Sequence, residues 1–167
     1  MSARAHALRD DWRLERPAPG PMVEFAAFGF PLGGAFVVGW PAAPGAVRHD
    51  EDGRPVLLHF APARWLAPAP HPDIAALIAA AGEAGAGAAV DVDGKWTAIR
   101  LLGPGAARPL ASTIDVAWVL DGRECAAVML FDCPAILARV TDGFAVWVRS
   151  SYAADFVAAV EGQRNRL

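Results

Sequence analysis

Cysteine is nearly missing from this sequence: Cys125 and Cys133 are the two it has. Two thiols are too few for the bridged framework that holds small extracellular domains together. They stand eight residues apart, across a predicted strand and a turn, whereas structural zinc sites draw on cysteines with about two to four residues between them. Buried, unreactive side chains are the expectation for both. Long apolar runs are absent as well; none reaches the roughly 18 residues of a membrane span. Neither sign of charge dominates, with 15 Lys and Arg against 18 Asp and Glu. No field is therefore available to draw in nucleic acid or an anionic membrane. Residues Met1 to Glu15 mix both charges and hold no apolar stretch of the secretory kind, so a cytoplasmic protein is expected.

Patterns that carry chemistry are equally sparse. His6, His49, His59 and His71 are scattered with no His-x-x-x-His pair, and His59 reads as a core histidine in an apolar strand. Ser112, Ser150 and Ser151 lack the G-x-S-x-G setting of a nucleophile elbow. Gly82, Gly85 and Gly87 spell G-x-x-G-x-G, the reverse of the dinucleotide spacing, and follow a predicted helix where phosphate binding needs one to come after. Gly103-Pro104-Gly105-Ala106 does sit between a predicted strand and a helix, whose start could face an anion. No Lys-Ser or Lys-Thr follows it, so a plain turn is expected. Asp91 and Asp93 alternate around Val92; two carboxylates on one strand face could serve as an acid/base pair, with turn and cap duty the more ordinary role. No catalytic, cofactor-binding or metal-binding residue is assigned. The interface candidates are Trp12, Arg149 and Tyr152. The ordinary alternatives are a local packing peg for Trp12 and a surface ion pair for Arg149.

What is present is apolar: 54% hydrophobic residues with 20% charged, against about 45–50% and 25% in average domains. At 167 residues the chain makes one domain or two small interlocked ones. Residues 1–22, with Pro17, Pro19 and Pro21, read as an N-terminal arm with at most one helical turn around Trp12. Residues 23–167 read as the folded domain, divisible near 23–86 and 87–167. Apolar runs at 23–28 and 35–40 flank a glycine-rich turn, and 41–54 reads as loop. Val56–Phe60 predicts a buried strand, turned at Pro62 into a second extended piece. Pro72 and Asp73 open a helix whose Ile74, Leu77, Ile78 and Ala81 form one apolar face, with Gly82 and Gly85 as its stop.

Further on, Ala88–Val92 and Lys95–Leu102 flank Asp93-Gly94, a hairpin signal. A short helix is expected at Ala106–Ala111. Then comes a meander. Its first strand, 125–131, is apolar on both faces and so is predicted to be central. Strands at 135–140 and 144–149 follow. The last helix is expected to start from a Ser150 or Ser151 cap, with Tyr152, Phe156 and Val160 on one face, and to end at Gly162. The sum is an α+β architecture, helices on one face of a mostly antiparallel sheet.

Several segments together resemble a family. They are Leu57-Leu58-His59-Phe60-Ala61-Pro62-Ala63-Arg64-Trp65-Leu66, Val90-Asp91-Val92-Asp93-Gly94-Lys95-Trp96-Thr97, Leu102-Gly103-Pro104-Gly105-Ala106, Glu124-Cys125-Ala126 and Arg149-Ser150-Ser151-Tyr152-Ala153. In order and spacing, over about residues 55–162, they resemble the gamma subunit of heterotetrameric sarcosine oxidase. The resemblance implies a ferredoxin-like fold related to the folate-binding domain of aminomethyltransferases. It also implies a structural subunit held by larger flavoprotein subunits that oxidise sarcosine or a related N-methyl amino acid. FAD, FMN, NAD, zinc and tetrahydrofolate would then belong to those partners, with no cofactor in this chain. The alternative, from the same fold, is a stand-alone folate-binding or one-carbon-transfer protein, with Asp91 or Asp93 pointing into a pocket.

Overall fold

The computed structural model describes residues 11–27, 41, 43–69, 71–83 and 87–165. The strands along the chain are β1 Arg13–Glu15, β2 Val23–Ala27, β3 Val47–His49, β4 Pro55–Ala61, β5 Arg64–Ala67, β6 Gly87–Asp91, β7 Trp96–Leu102, β8 Cys125–Leu130, β9 Cys133–Val140 and β10 Gly143–Arg149. The α-helices are α1 Pro72–Glu83, α2 Val116–Val119 and α3 Ala153–Gly162. The fold is α+β with two five-stranded antiparallel sheets in place of the expected one, ordered β1-β7-β10-β9-β8 and β3-β4-β5-β2-β6. The chain forms two compact units. One comprises Met1–Pro19, Lys95–Asp121 and Ala127–Leu167; the other comprises Gly20–Gly94 and Gly122–Ala126.

In the second unit the core gathers Phe25, Val56, Leu57, Trp65, Ala67 and Ile74, with Ile78 packed against it. Thus α1 turns the Ile74/Ile78 stripe inward, as its spacing predicts; the side chains of Leu77 and Ala81 lie outside the described residues. Gly82 is inside the helix rather than its stop, and Gly85 lies outside the described residues. β4 and β5 pair across a turn at Pro62-Ala63, with Leu58 opposite Leu66 and His59 opposite Trp65. The segment expected to be all loop contains β3, paired to β4. The predicted turn at 29–34 and run at 35–40 lie outside the described residues.

The Asp93-Gly94 hairpin is not formed. β6 pairs with β2, and β7 pairs with β10 and β1. Asp93 and Gly94 still turn the chain, with Gly94 at φ +72°, but the turn hands it from one sheet to the other.

In the first unit Ile99, Val146 and Leu137 stand abreast on β7, β10 and β9, each fully buried. α3 lies against β10 and buries Phe156, Val157 and Val160. Residues 125–130 form an edge strand, not a central one. Two of its apolar residues, Ala127 and Met129, face solvent. The strand turns at Phe131-Asp132, both at positive φ (49° and 60°), the backbone of a two-residue hairpin turn. Phe131 tolerates it with its ring set edge-on against Phe156 at 5.8 Å.

The N-terminal arm also differs from expectation. Instead of a helical turn, Arg13–Glu15 adds β1 to the edge of β7, where open backbone groups offer the better partner. Trp12 is buried beneath Arg164, whose guanidinium lies 4.1 Å from its ring centroid. Ala106–Ala111 is a turn followed by a single 3-10 turn, Arg108–Leu110. Ser150–Tyr152 form another 3-10 turn before α3, and no serine side chain caps it.

Candidate functional site

Arg149 closes β10 directly opposite Trp96, which opens β7. Its guanidinium lies 4.6 Å from the Trp96 ring centroid, and the Lys95 ammonium lies 5.8 Å from the same point. The hydroxyl of Ser150, the predicted cap, instead meets that of Thr97 at 3.0 Å, and Ser150 N–H donates to Lys95 O. Tyr152, two residues on, is 43% exposed and not part of the buried face of α3. Arg149 and Tyr152 thus lie in one short segment of the first unit. Trp12 lies elsewhere in that unit, buried in the chain's own packing.

Sequence reasoning passed over Trp118, which is 78% exposed. Asp115 caps α2 by accepting from Trp118 N–H at 3.1 Å. Val116 and Leu120, four apart, turn inward; Trp118, two residues from each, falls on the opposite side of the turn. The signal was present as an Asp followed by a short apolar run with its inward pair at helical spacing. Met129, on the edge strand of the same unit, is 55% exposed.

The carboxylates considered for acid/base work hold turns. Asp91 Oδ1 accepts from Asp93 N–H, and Asp93 Oδ1 accepts from Met22 N–H. The Gly103-Pro104-Gly105 turn has its anion built in. A Cβ on Gly105 would fall 2.1 Å from Asp11 Oδ1, and Arg108 holds the other oxygen, Oδ2, at 2.8 Å. His59 is a core histidine: it stacks on Trp65 at 4.2 Å, and its Nδ1–H donates to Pro41 O. Burial pushes its pKa below the ordinary value. Burial likewise pushes the Cys125 thiol up to about 12, with Glu124 adding to it, and raises Cys133.

A polar cleft of about 410 Å³ in the second unit is lined by Arg48, His49, Asp50, Glu51, Asp52 and His71. Asp50 there is committed to the turn at 50–54, accepting from Arg54 and Asp52 N–H. Those bonds, with the Arg54 charge, hold its carboxyl below the usual range. Among the described residues no three His, Cys, Asp or Glu side chains are grouped to hold a metal ion. No described helix is long and apolar enough to cross a membrane.

No family model matches this sequence, and no curated protein matches it. Among solved structures, the chain is similar to one described as "Heterotetrameric Sarcosine Oxidase from Corynebacterium sp. U-96 in complex with pyrrole 2-carboxylate". The TM-score is 0.72 at 24% identity, over 93% of this chain and 84% of that one. At that identity what the two chains share is the fold: the two-sheet α+β architecture is that of a chain of a heterotetrameric sarcosine oxidase.

Proposed function

We propose that this chain is a gamma-type, non-catalytic subunit of a cytoplasmic, heteromeric sarcosine oxidase, or of a related flavoenzyme that oxidises N-methyl amino acids. The observation that carries the reading is the likeness over 93% of the chain to a chain of a heterotetrameric assembly. Two features support it. The carboxylates nearest to acid/base work, Asp91 and Asp93, accept from backbone N–H groups of the chain itself. Large apolar side chains stand in solvent at Trp118, Met129 and Tyr152, and side chains of this kind are enriched at interfaces. The flavins, nicotinamide, zinc and folate of such an assembly would sit on its larger subunits. Trp12 would act indirectly, by fixing the start of β1, while Arg149 and Tyr152 would face a partner.

The test is co-expression with large flavoprotein subunits encoded beside this chain. Co-purification of a flavin-bearing complex at fixed stoichiometry supports the reading, and Trp118→Ser should weaken it without lowering the melting temperature of the free chain. Saturable binding of tetrahydrofolate by the isolated chain would instead favour the stand-alone folate reading.

A further inference from the structure

In the first unit two cations stand over one indole. Trp96 is 8% exposed, so the ring is a fixed platform. Arg149 and Lys95 both reach it, at 4.6 Å and 5.8 Å from the centroid. The backbone beneath is held by the Ser150 N–H to Lys95 O bond and by the Ser150–Thr97 hydroxyl pair, both 3.0 Å. The ring quadrupole offsets part of the repulsion between the two charges. A guanidinium lying over a ring keeps its planar fork of N–H donors clear for a partner in its own plane. Among the described residues no ion pair involves Arg149, and its contact is with the ring.

We propose that Arg149, Lys95 and Trp96 form a docking clamp for a carboxylate side chain carried by a partner protein, taken bidentately by the Arg149 fork with the Lys95 charge beside it. This inference rests on the subunit reading above. Carboxylate geometry matches the fork, and stacking on the ring has already ordered the arginine, so little rotamer freedom is lost on docking. The site is half-buried, and Ser151 and Tyr152 next to it are exposed. A lone small anion there stays wet. A carboxylate arriving on a protein surface brings the walls that exclude water and strengthen the pair.

Lys95 is the chain's single lysine, which makes the test specific. In the complex formed by co-expression, a carbodiimide activates carboxylates, and a lysine amine within reach displaces the urea to leave an amide. Mass spectrometry should find that amide between Lys95 Nζ and an Asp or Glu of the partner. Arg149→Gln should weaken association by about thirtyfold or more, the lower bound for removing one side of a desolvated charge pair, and Arg149→Lys should restore part of it. On the free chain, glutarate should shift the Arg149 Nε–H resonance, glutaramide should not, and inorganic phosphate should bind no tighter than glutarate.

A complex that keeps its affinity within a factor of about two in Arg149→Gln and Lys95→Gln, with no Lys95 amide, overturns the clamp and leaves the subunit reading standing. Phosphate binding much tighter than glutarate also overturns it. Failure of any partner to assemble, with the glutarate shift intact, removes the subunit reading and keeps the carboxylate recognition. Equal shifts with glutarate and glutaramide remove that recognition too.

Discussion

Replacing Arg64 with Met takes the cation away from Glu24 while keeping most of the side-chain volume. Glu24 stands on β2 with 4% exposure, and Arg64 on β5 reaches it diagonally across the strand pair. Two unit charges about 4 Å apart attract by about 4 kcal/mol at an effective dielectric of 20. The Arg64 side chain is 50% exposed, so water screens the pair, and a loss of about 2 kcal/mol is expected. Most of that is the cost of a carboxylate left buried without its cation. The deficit should therefore shrink in the double variant Glu24→Gln/Arg64→Met, which removes both charges. Urea unfolding midpoints at neutral pH, at constant slope, read both effects. A neutral-pH loss under about 0.5 kcal/mol, or a double variant no more stable than the single one, refutes the reasoning.

Other perturbations separate the remaining contributions. His59 has its pKa lowered by burial from 6.5, so below that pH the unfolded chain takes up a proton that the folded chain refuses. Its share of stability is thus complete above 6.5 and lost as pH falls, at up to about 1.4 kcal/mol per pH unit. Denaturant midpoints from pH 8 to 5 should show a steeper fall in the wild type than in His59→Leu. Cys125, raised to about 12, and Cys133, also raised, should stay unreacted with a disulfide reagent at pH 8 until the chain is unfolded, when two thiols appear. Gly143 sits at φ +152°, and an added Cβ would lie 2.1 Å from Leu101 O; Gly94 sits at φ +72° with nothing within 4 Å. Gly143→Ala should cost about 3 kcal/mol or more, from backbone strain plus overpacking, and Gly94→Ala about 1 from strain alone. Equal costs in thermal melts would contradict the contrast.

Much of the local structure could be read before the fold was seen, because it depends on near neighbours. The Ile74/Ile78 stripe, the Pro62 turn, the strands around Leu57 and Val146 and the turn duty of Asp91 and Asp93 follow from periodicity and turn chemistry. What could not be read was pairing. Asp93-Gly94 has the composition of a hairpin turn, and the chain does turn there. Whether β6 then lies on β7 depends on which other edges are open, and β2 and β10 took the two strands. Similarly, 125–130 is apolar on alternate residues in both directions, the pattern of a strand covered twice. It lies at an edge with Met129 in solvent. Apolar composition says that a face is to be covered; it does not say whether the cover is in the same chain.

The arginines make the same point for the candidate site. Arg64, Arg139, Arg149 and Arg164 all stand over aromatic rings, and nothing in their flanking residues sorts them. Arg64 is next to Trp65 in sequence yet reaches Glu24; Arg164 has Glu161 one helical turn back and also donates to Trp12 O at 3.3 Å. Those two are tied to acceptors of their own chain, and removing them should register as stability. Arg149 gained its ring through a strand pairing that joins residues 53 positions apart, Trp96 and Arg149, with Lys95 brought in alongside. Because among the described residues that pairing supplies Arg149 with a ring and no ion-pair partner, removing Arg149 should register on association instead. A stability loss in Arg149→Gln as large as that of Arg64→Met would place it with the structural arginines.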